Sequence, residues 1–356
     1  MDAVCERFAA VERELEKVDF QRLWPGFRPY PFALYTEERA VLKGRTVPNG
    51  GRFRGNTAIP WEGGYLAVWD MGRGDWPEPE VLAAGLVHEM FHAFQLDLGE
   101  SRSPDDLAAL DYPMEVENLS QKLAEDRLLA RALRTEDRRA CRAYLVSFRA
   151  LREKRRRRLG ERMDQELLPE TLEGMAEYVG LCALRTLDPE RYRLRLADCL
   201  ERLETAGAHQ LDIRRIAYDT GPALLLAAET AGLSLYHRPG TETRTLYELL
   251  RDRLEEAEAP EVPPDGALAE LLERREEERK ELLTAFLRRA GTPVSGNFVI
   301  QGYDPMNMWK QGDLLYGSHF WSLRGEAGEV VQLTGEAVLR SAGGRRVSAY
   351  WKGGGQ

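Results

Sequence analysis

The chain has 356 residues, of which 43% are hydrophobic, and its formal net charge is −9 at pH 7. This length exceeds one average domain, and the apolar content can fill a sizeable core. The acidic balance disfavours nucleic acid as a partner, because nucleic-acid-binding domains are typically basic. No apolar run reaches the roughly 18 residues of a membrane span, and the first residues lack the apolar stretch of a signal peptide.

The four cysteines, Cys5, Cys141, Cys182 and Cys199, are far apart and include no C-x-x-C pair. Their spacing indicates neither a disulfide framework nor a cysteine-based zinc site. Together with the start of the chain, this pattern predicts a cytoplasmic protein.

The first predicted region, residues 1–75, combines one amphipathic helix over residues 1–20 with a small β-sheet. From Phe32 to Asp70 the sequence is rich in Val, Thr, Tyr, Trp and paired glycines. Short strands with tight turns have this composition. An acidic turn at residues 75–80 then indicates the start of a helix.

The second predicted region, residues 76–258, is helical and carries the motif H-E-M-F-H at residues 88–92. Residues i and i+4 share one face of a helix, so His88 and His92 can direct two imidazoles at one metal ion. Glu89 can then reach a water molecule on that metal. The alternative is a pair of core histidines satisfied by hydrogen bonds.

A catalytic zinc site needs a third protein ligand and an open fourth position. A third histidine close to the motif is excluded, because none occurs between His92 and His209. Glu173 is the candidate, since its small neighbours let two helices approach and an inward carboxylate there needs a cation. Glu177 and His319 are the alternative third ligands.

These residues resemble the gluzincins, the zinc peptidases that include thermolysin-like enzymes and the alanyl-aminopeptidase type. The aminopeptidases combine H-E-x-x-H with a helix similar to N-E-G-F-A-x-Y, and residues 173–178 here are E-G-M-A-E-Y. The resemblance covers roughly residues 55–235. It implies a zincin-like core with one Zn²⁺ per chain, held by the two histidines and Glu173, and Glu89 as the general base.

The resemblance also implies roles for Glu177 and Tyr218. Thermolysin-like enzymes carry a carboxylate four residues after the ligand Glu, which holds the first zinc histidine, and Glu177 occupies that position. The segment I-A-Y-D-T-G-P-A around Tyr218 is similar to the aminopeptidase segment Y-x-K-G-A, whose tyrosine stabilises the oxyanion. The alternatives are a solvated carboxylate at Glu177 and a packed tyrosine at Tyr218, with His209 or His319 as the electrophile.

Two departures from the gluzincin pattern affect what it implies. The aminopeptidase segment G-x-M-E-N, which binds a free amino terminus, is replaced here by residues 55–64, so an endopeptidase or narrow-specificity peptidase is favoured. The long interval from His92 to Glu173 predicts an inserted helical hairpin at about residues 114–168. In zincins an edge strand binds extended substrate, and Gly64–Trp69 is the candidate strand.

The hairpin contains a basic run, R-E-K-R-R-R-R, at residues 152–158. Arginines in such a helix are expected to line a solvated face. The alternative is a patch that binds a polyanion, whose affinity would fall steeply with salt.

The C-terminal part contains two further predicted regions. Residues 259–290 read as a linker followed by a charged helix over 267–289, which faces solvent or a partner. Residues 291–356 contain short apolar runs separated by glycines and are predicted to be β-rich. Within them, Gly302–Trp309 is either a loop that closes over the site, with His319 behind it, or a packed turn.

The sequence therefore predicts an α+β protein with a zincin-like core that hydrolyses peptide bonds by metal-activated water, acting on a peptide or protein. The alternative from another class is a catalytically inactive zincin-fold interaction or regulatory protein. Glu89 favours the enzyme, because a purely structural metal site needs no base.

Overall fold

The computed structural model describes residues 3–72 and 74–353. Parts of the predicted N-terminal helix, β-sheet region and C-terminal region fall on Met1, Asp2, Arg73 and 354–356, which lie outside the described residues. The fold is α+β and mostly helical, with a small N-terminal sheet and a larger antiparallel C-terminal sheet. The predicted fold class is confirmed at this level. None of the described helices is long and apolar enough to cross a membrane.

The N-terminal region contains two helices and five strands: α1 (Ala3–Leu15), α2 (Phe20–Leu23), β1 (Phe32–Tyr35), β2 (Arg39–Leu42), β3 (Arg45–Pro48), β4 (Thr57–Trp61) and β5 (Gly64–Asp70). The helix predicted over residues 1–20 is present but shorter, since α1 ends at Leu15. Asp19 caps the start of α2 by accepting from the backbone N–H of Arg22 at 3.3 Å. A side-chain oxygen at this position satisfies a donor that the helix leaves unpaired.

The strand order in this sheet is β3-β2-β1-β5-β4. Strand β5 lies between β1, to which it is parallel, and β4, to which it is antiparallel. The prediction that Gly64–Trp69 forms the edge strand is therefore wrong, and β4 occupies that edge. Alternation of side chains along a strand identifies its two faces but says nothing of its position in the sheet.

Eight helices follow: α3 (Pro79–Asp97), α4 (Asp106–Ala109), α5 (Val116–Leu133), α6 (Arg138–Leu159), α7 (Asp164–Leu187), α8 (Pro189–Glu204), α9 (Ile213–Thr230) and α10 (Leu246–Arg251). Helix α3 is apolar nearly all round, which is typical of a buried helix, and it packs against the sheet on one side and α7 on the other. Helix α9 ends before Gly232, whose φ of 71° is unfavourable for other residues. The region predicted to be helical up to residue 258 is therefore interrupted between α9 and α10, and α10 ends at Arg251.

Helices α7 and α9 touch through their backbones at Gly174 and Gly221. A Cβ atom on Gly174 would lie 2.6 Å from the Cα of Gly221, and one on Gly221 would lie 2.4 Å from the Cα of Gly174. Any side chain at either position would force the helices apart. Since α7 carries Glu173 and α9 carries Tyr218, this contact sets the spacing of two predicted site residues.

Helices α5 and α6 form a hairpin in the interval where an insertion was predicted. Arg152 and Arg155 of α6 are fully buried rather than solvated. Arg155 forms paired hydrogen bonds with Glu125 of α5 and with Glu166 of α7, all between 2.5 and 2.9 Å. Arg152 bonds Glu125 and Glu170. The expectation that the basic run lines a solvated face is wrong at these two positions, and neither is accessible to a polyanion.

The C-terminal region contains α11 (Gly266–Ala290) and seven strands: β6 (Val294–Tyr303), β7 (Met308–Gln311), β8 (Leu314–Gly317), β9 (Phe320–Arg324), β10 (Val330–Thr334), β11 (Ala337–Ser341) and β12 (Arg346–Lys352). Their order is β10-β9-β6-β12-β11-β8-β7, and every adjacent pair is antiparallel. The first half of α11 packs Leu268 and Leu272 against α5, and the second half packs Phe286 against Trp351 of the sheet. The charged helix therefore connects the two regions through an apolar stripe.

The segment Gly302–Trp309 comprises the end of β6, a turn over residues 304–307 and the start of β7. Asp304 accepts from the backbone N–H of Met306 at 2.9 Å and lies 2.8 Å from Nδ1 of His319. The carbonyl of Met306 accepts from Arg215 of α9 at 3.0 Å. These contacts fix the turn against the helical region, which favours the packed-turn interpretation over a loop that closes.

Candidate metal centre

Two glycines allow the neighbours of α3 to approach the face that carries His88. A Cβ on Gly85 would lie 2.5 Å from the ring of Trp69 of the sheet, and one on Gly180 of α7 would lie 3.3 Å from the Cβ of His88. Gly85 and Gly180 therefore allow α7 and the sheet to pack closely against the helical turn that carries His88. The structure thereby brings the two predicted histidines and Glu173 together.

The three predicted ligand atoms form a compact triangle. Nε2 of His92 lies 3.0 Å from Nε2 of His88 and 3.1 Å from Oε2 of Glu173, and the third side is 3.9 Å. A triangle with these sides has a circumscribed radius of about 2.0 Å, close to zinc–nitrogen and zinc–oxygen bond lengths. Among the described residues, this is the group of three that could hold a metal ion.

Hydrogen bonds at the far side of each imidazole fix its orientation. Nδ1 of His88 lies 3.1 Å from Oε2 of Glu177, and Nδ1 of His92 lies 2.8 Å from Oε1 of Gln95. The amide of Gln95 is oriented by donation from its Nε2 to the carbonyl of Leu172 at 3.0 Å. Each neutral ring therefore donates outward from Nδ1 and presents a lone pair on Nε2.

The converging lone pairs need a positive charge. Burial alone would lower the pKa of His92, but the Glu173 carboxylate raises it to about 9. Burial likewise opposes ionisation of Glu173, yet His92, His88 and Arg214 bring its pKa well below the ordinary value. A proton on His92 satisfies one contact of the triangle, whereas a metal ion binds all three atoms. The donor set, two imidazoles and a carboxylate, suits Zn²⁺.

Glu89 lies beside the triangle and lines a cavity. It is 7% exposed, and no hydrogen bond to its carboxylate occurs within the described part of the chain. Burial raises the pKa of Glu89, against the opposing effect of His88 and His92. The cavity has a volume of about 310 Å³ and is lined by His88, Glu89, Glu177, Tyr218 and mostly apolar residues, including Trp69 and Leu181. A carboxylate in this setting suits a general base.

Tyr218 lines the same cavity from α9. Its ring is nearly parallel to that of His88, at an interplanar angle of 7° and a centroid distance of 6.0 Å. Burial and the neighbouring Glu173 raise the pKa of its hydroxyl, which therefore keeps its proton and can donate it in a hydrogen bond. Glu177 is buried and is held by Arg195 at 2.7 Å, so the alternative of a solvated carboxylate is wrong.

The two alternative histidines lie elsewhere. Nε2 of His209 is 2.7 Å from the carbonyl of Arg202. The side chain of His319 is 62% exposed on the C-terminal sheet and pairs with Asp304. The structure brings neither of them to the triangle.

Three residues that sequence reasoning missed complete the centre. They orient or neutralise the predicted ones: Gln95 holds His92, Arg195 holds Glu177, and Arg214 donates to Oε1 of Glu173 at 3.1 Å. The position of Gln95, three residues after His92 on one helix, was a usable signal. The sequence gives no comparable signal for Arg195 and Arg214, because they lie on α8 and α9, which come next to α3 only in the folded protein.

Comparison with known proteins gives no assignment: no protein-family model, no curated protein and no solved structure matches this chain significantly.

Replacing Gln95 by Met is expected to weaken zinc binding about 10–100-fold, because the substitution removes the acceptor that orients His92. Competitive titration against a chromophoric chelator measures this change. Gln301→Met, at an exposed position of β6, is the matched control and should bind zinc as the wild type does. An affinity of Gln95→Met within twofold of the wild type would contradict the assigned role.

Proposed function

We propose that this protein is a zinc-dependent hydrolase that cleaves peptide bonds, with a zincin-like core of the gluzincin type. The observation that carries the proposal is the convergence of Nε2 of His88, Nε2 of His92 and Oε2 of Glu173, with the buried Glu89 beside them. Both imidazoles are oriented from behind, so their lone pairs face inward. A metal site with an adjacent base and an open cavity supports hydrolysis rather than a structural role.

When bound, Zn²⁺ would polarise a substrate carbonyl and make a water molecule more acidic. Glu89 accepts a proton from the attacking water, since it is the carboxylate in the cavity without a donor of its own. As the carbon–nitrogen bond breaks, Glu89 passes that proton to the leaving amine. The raised pKa of Glu89 suits both steps, because a group that accepts and returns a proton works best when its pKa is near the ambient pH.

Tyr218 and Glu177 serve different parts of this reaction. Tyr218 lines the cavity, and its hydroxyl, which keeps its proton, donates a hydrogen bond to the oxyanion that develops on the carbonyl. Glu177 accepts from Nδ1 of His88 and keeps that ring in the orientation that a metal ligand needs.

The cavity and the sheet support a peptide or protein as the substrate. Apolar residues from α3, α7 and β5 line the cavity next to Glu89, and they fit an apolar side chain. Strand β4 lies at the edge of the sheet, where an extended peptide can add as a further strand. The loss of an amine-binding segment at residues 55–64 favours an endopeptidase or a narrow-specificity enzyme.

We also propose a cytoplasmic location for the protein. The supporting observation is that the three buried cysteines, Cys141, Cys182 and Cys199, form no disulfide. Disulfides are rare where cellular thiols are kept reduced.

Metal content tests the ligand assignment. Purified wild type is expected to hold one zinc ion per chain at neutral pH, and Glu173→Ala is expected to lose most of it, because one of three ligands is removed. His319→Ala is the control, since His319 was the other candidate ligand and lies away from the triangle. Atomic emission on dialysed protein gives the stoichiometry. A wild type without metal after incubation with zinc would overturn the proposal, and zinc retained in Glu173→Ala would overturn the ligand set.

A further inference from the structure

A second cavity lies between the helical region and the C-terminal sheet. It has a volume of about 580 Å³ and is enclosed by the start of α9, one side of α11 and the turn between β6 and β7. It shares no lining residue with the cavity beside Glu89. The two cavities are therefore distinct, although Arg214 in the wall of the second also donates to Glu173 of the metal centre.

Two arginines of α11, Arg275 and Arg279, line this cavity without a carboxylate partner. Both are half-buried, and no ion pair within 4 Å is formed by either of them among the described residues. Nη1 of Arg275 donates to the carbonyl of Leu211 at 2.5 Å, while its buried Nε has no acceptor. The guanidinium of Arg279 lies over the ring of Trp309, 5.1 Å from its centroid.

Most of the other charged residues in the cavity wall form ion pairs with residues other than Arg275 and Arg279. In the cavity wall Arg214 pairs with Asp106, Lys310 pairs with Asp111, and Asp212 pairs with Arg215 at 3.0 Å. Glu278 also lines the wall but is exposed. Within the described part of the chain, Arg275 and Arg279 are therefore the half-buried charges in this wall that form no ion pair, while the unpaired Arg274 and Glu278 are exposed.

Burial makes the charged form of both arginines unfavourable, and the nearby Asp212 and Glu276 offset only part of that effect. Burial lowers the pKa of Arg279 to about 10, and the positive charge of Arg275 adds to that effect. Burial also lowers the pKa of Arg275. A negatively charged ligand between the two side chains would reverse both effects.

We propose that this cavity binds a small organic oxyanion, whose phosphate or carboxylate group lies between Arg275 and Arg279. Guanidinium groups present pairs of N–H donors that match the oxygens of both anions. Trp309 holds Arg279 in position and offers an apolar wall to the rest of the ligand. The cavity is far larger than one inorganic anion and within the ~300–1,000 Å³ of small-molecule sites, so the anion is one end of a larger molecule.

Isothermal titration of the full chain with inorganic phosphate and with succinate tests the proposal. Wild type is expected to bind at least one of the two anions in the presence of chloride at constant ionic strength. Stronger binding of phosphate indicates a phosphate ester as the natural ligand, and stronger binding of succinate indicates a carboxylate. Failure of both anions to bind overturns the proposal.

Arg279→Gln is expected to weaken that binding at least tenfold, because a charge-assisted contact is lost. Arg288→Gln, at an exposed position on the same helix, is the matched control and should bind as the wild type does. Without anion, Arg279→Gln should unfold at a temperature no lower than the wild type, since it removes an uncompensated charge. The anion that binds should raise the unfolding temperature of wild type and not of Arg279→Gln. Equal anion stabilisation of both proteins would overturn the site, as would equal binding.

Discussion

Glu89→Gln is expected to lower kcat for peptide hydrolysis by roughly a thousandfold, within the range typical of losing a general acid–base group. The amide has nearly the same size, so the cavity and the metal ligands keep their positions. What disappears is the ability to accept a proton from water and return it to the leaving amine. Zinc content should stay at the wild-type value, since Glu89 is not one of the three converging ligands.

The measurement uses a peptide library to find a cleaved substrate, then compares rates and zinc content of the variant and wild type. Glu80→Gln is the control, because Glu80 lies on the same helix in its first turn, away from the triangle. Equal turnover by Glu89→Gln and wild type would contradict the mechanism. A zinc-loaded wild type that cleaves no peptide would favour the alternative of a regulatory or interaction protein.

Arg155→Met is expected to reduce the free energy of unfolding by about 3–5 kcal/mol, the cost of leaving a buried charge without its partner. Glu166 would then keep only the Tyr112 hydroxyl among its present hydrogen-bond partners. Burial alone would raise the pKa of Glu166, but Arg155 holds it at about 2. The variant loses this compensation and must either bury a carboxylate or protonate it.

The loss of stability should also depend on pH, with a predictable sign. In the wild type the lowered pKa of Glu166 contributes stability above the unfolded pKa, and that contribution is lost as the pH falls towards 2. In Arg155→Met, burial raises the pKa, so the penalty appears as the pH rises. The difference between the two proteins should therefore be larger at pH 8 than at pH 5.

Urea unfolding at both pH values measures this difference. Arg157→Met is the matched control on the same helix, because Arg157 is exposed. Surface substitutions of this kind usually change the free energy of unfolding by less than about 0.5 kcal/mol. A similar loss for both variants, or the same loss at pH 5 and pH 8, would contradict the role assigned to the buried network.

The sequence was most informative where a local rule applies. The spacing of His88 and His92 follows from helix geometry alone, and the structure places both rings around one point. The burial of the two α6 arginines could not be predicted, because the run of charges gives no sign of the carboxylates on α5 and α7 that face it. The position of β5 was wrong for a related reason: whether a strand is internal depends on partners distant in sequence.

The contact between Gly174 and Gly221 has a consequence for how this centre can change. Glu173 precedes one glycine by a single residue, and Tyr218 precedes the other by three. The distance between the proposed ligand and the proposed oxyanion donor is therefore set by the absence of side chains at the two glycines. Adding one methyl group would change that distance without touching either functional residue. The two glycine positions therefore have no smaller residue to accept and no room for a larger one.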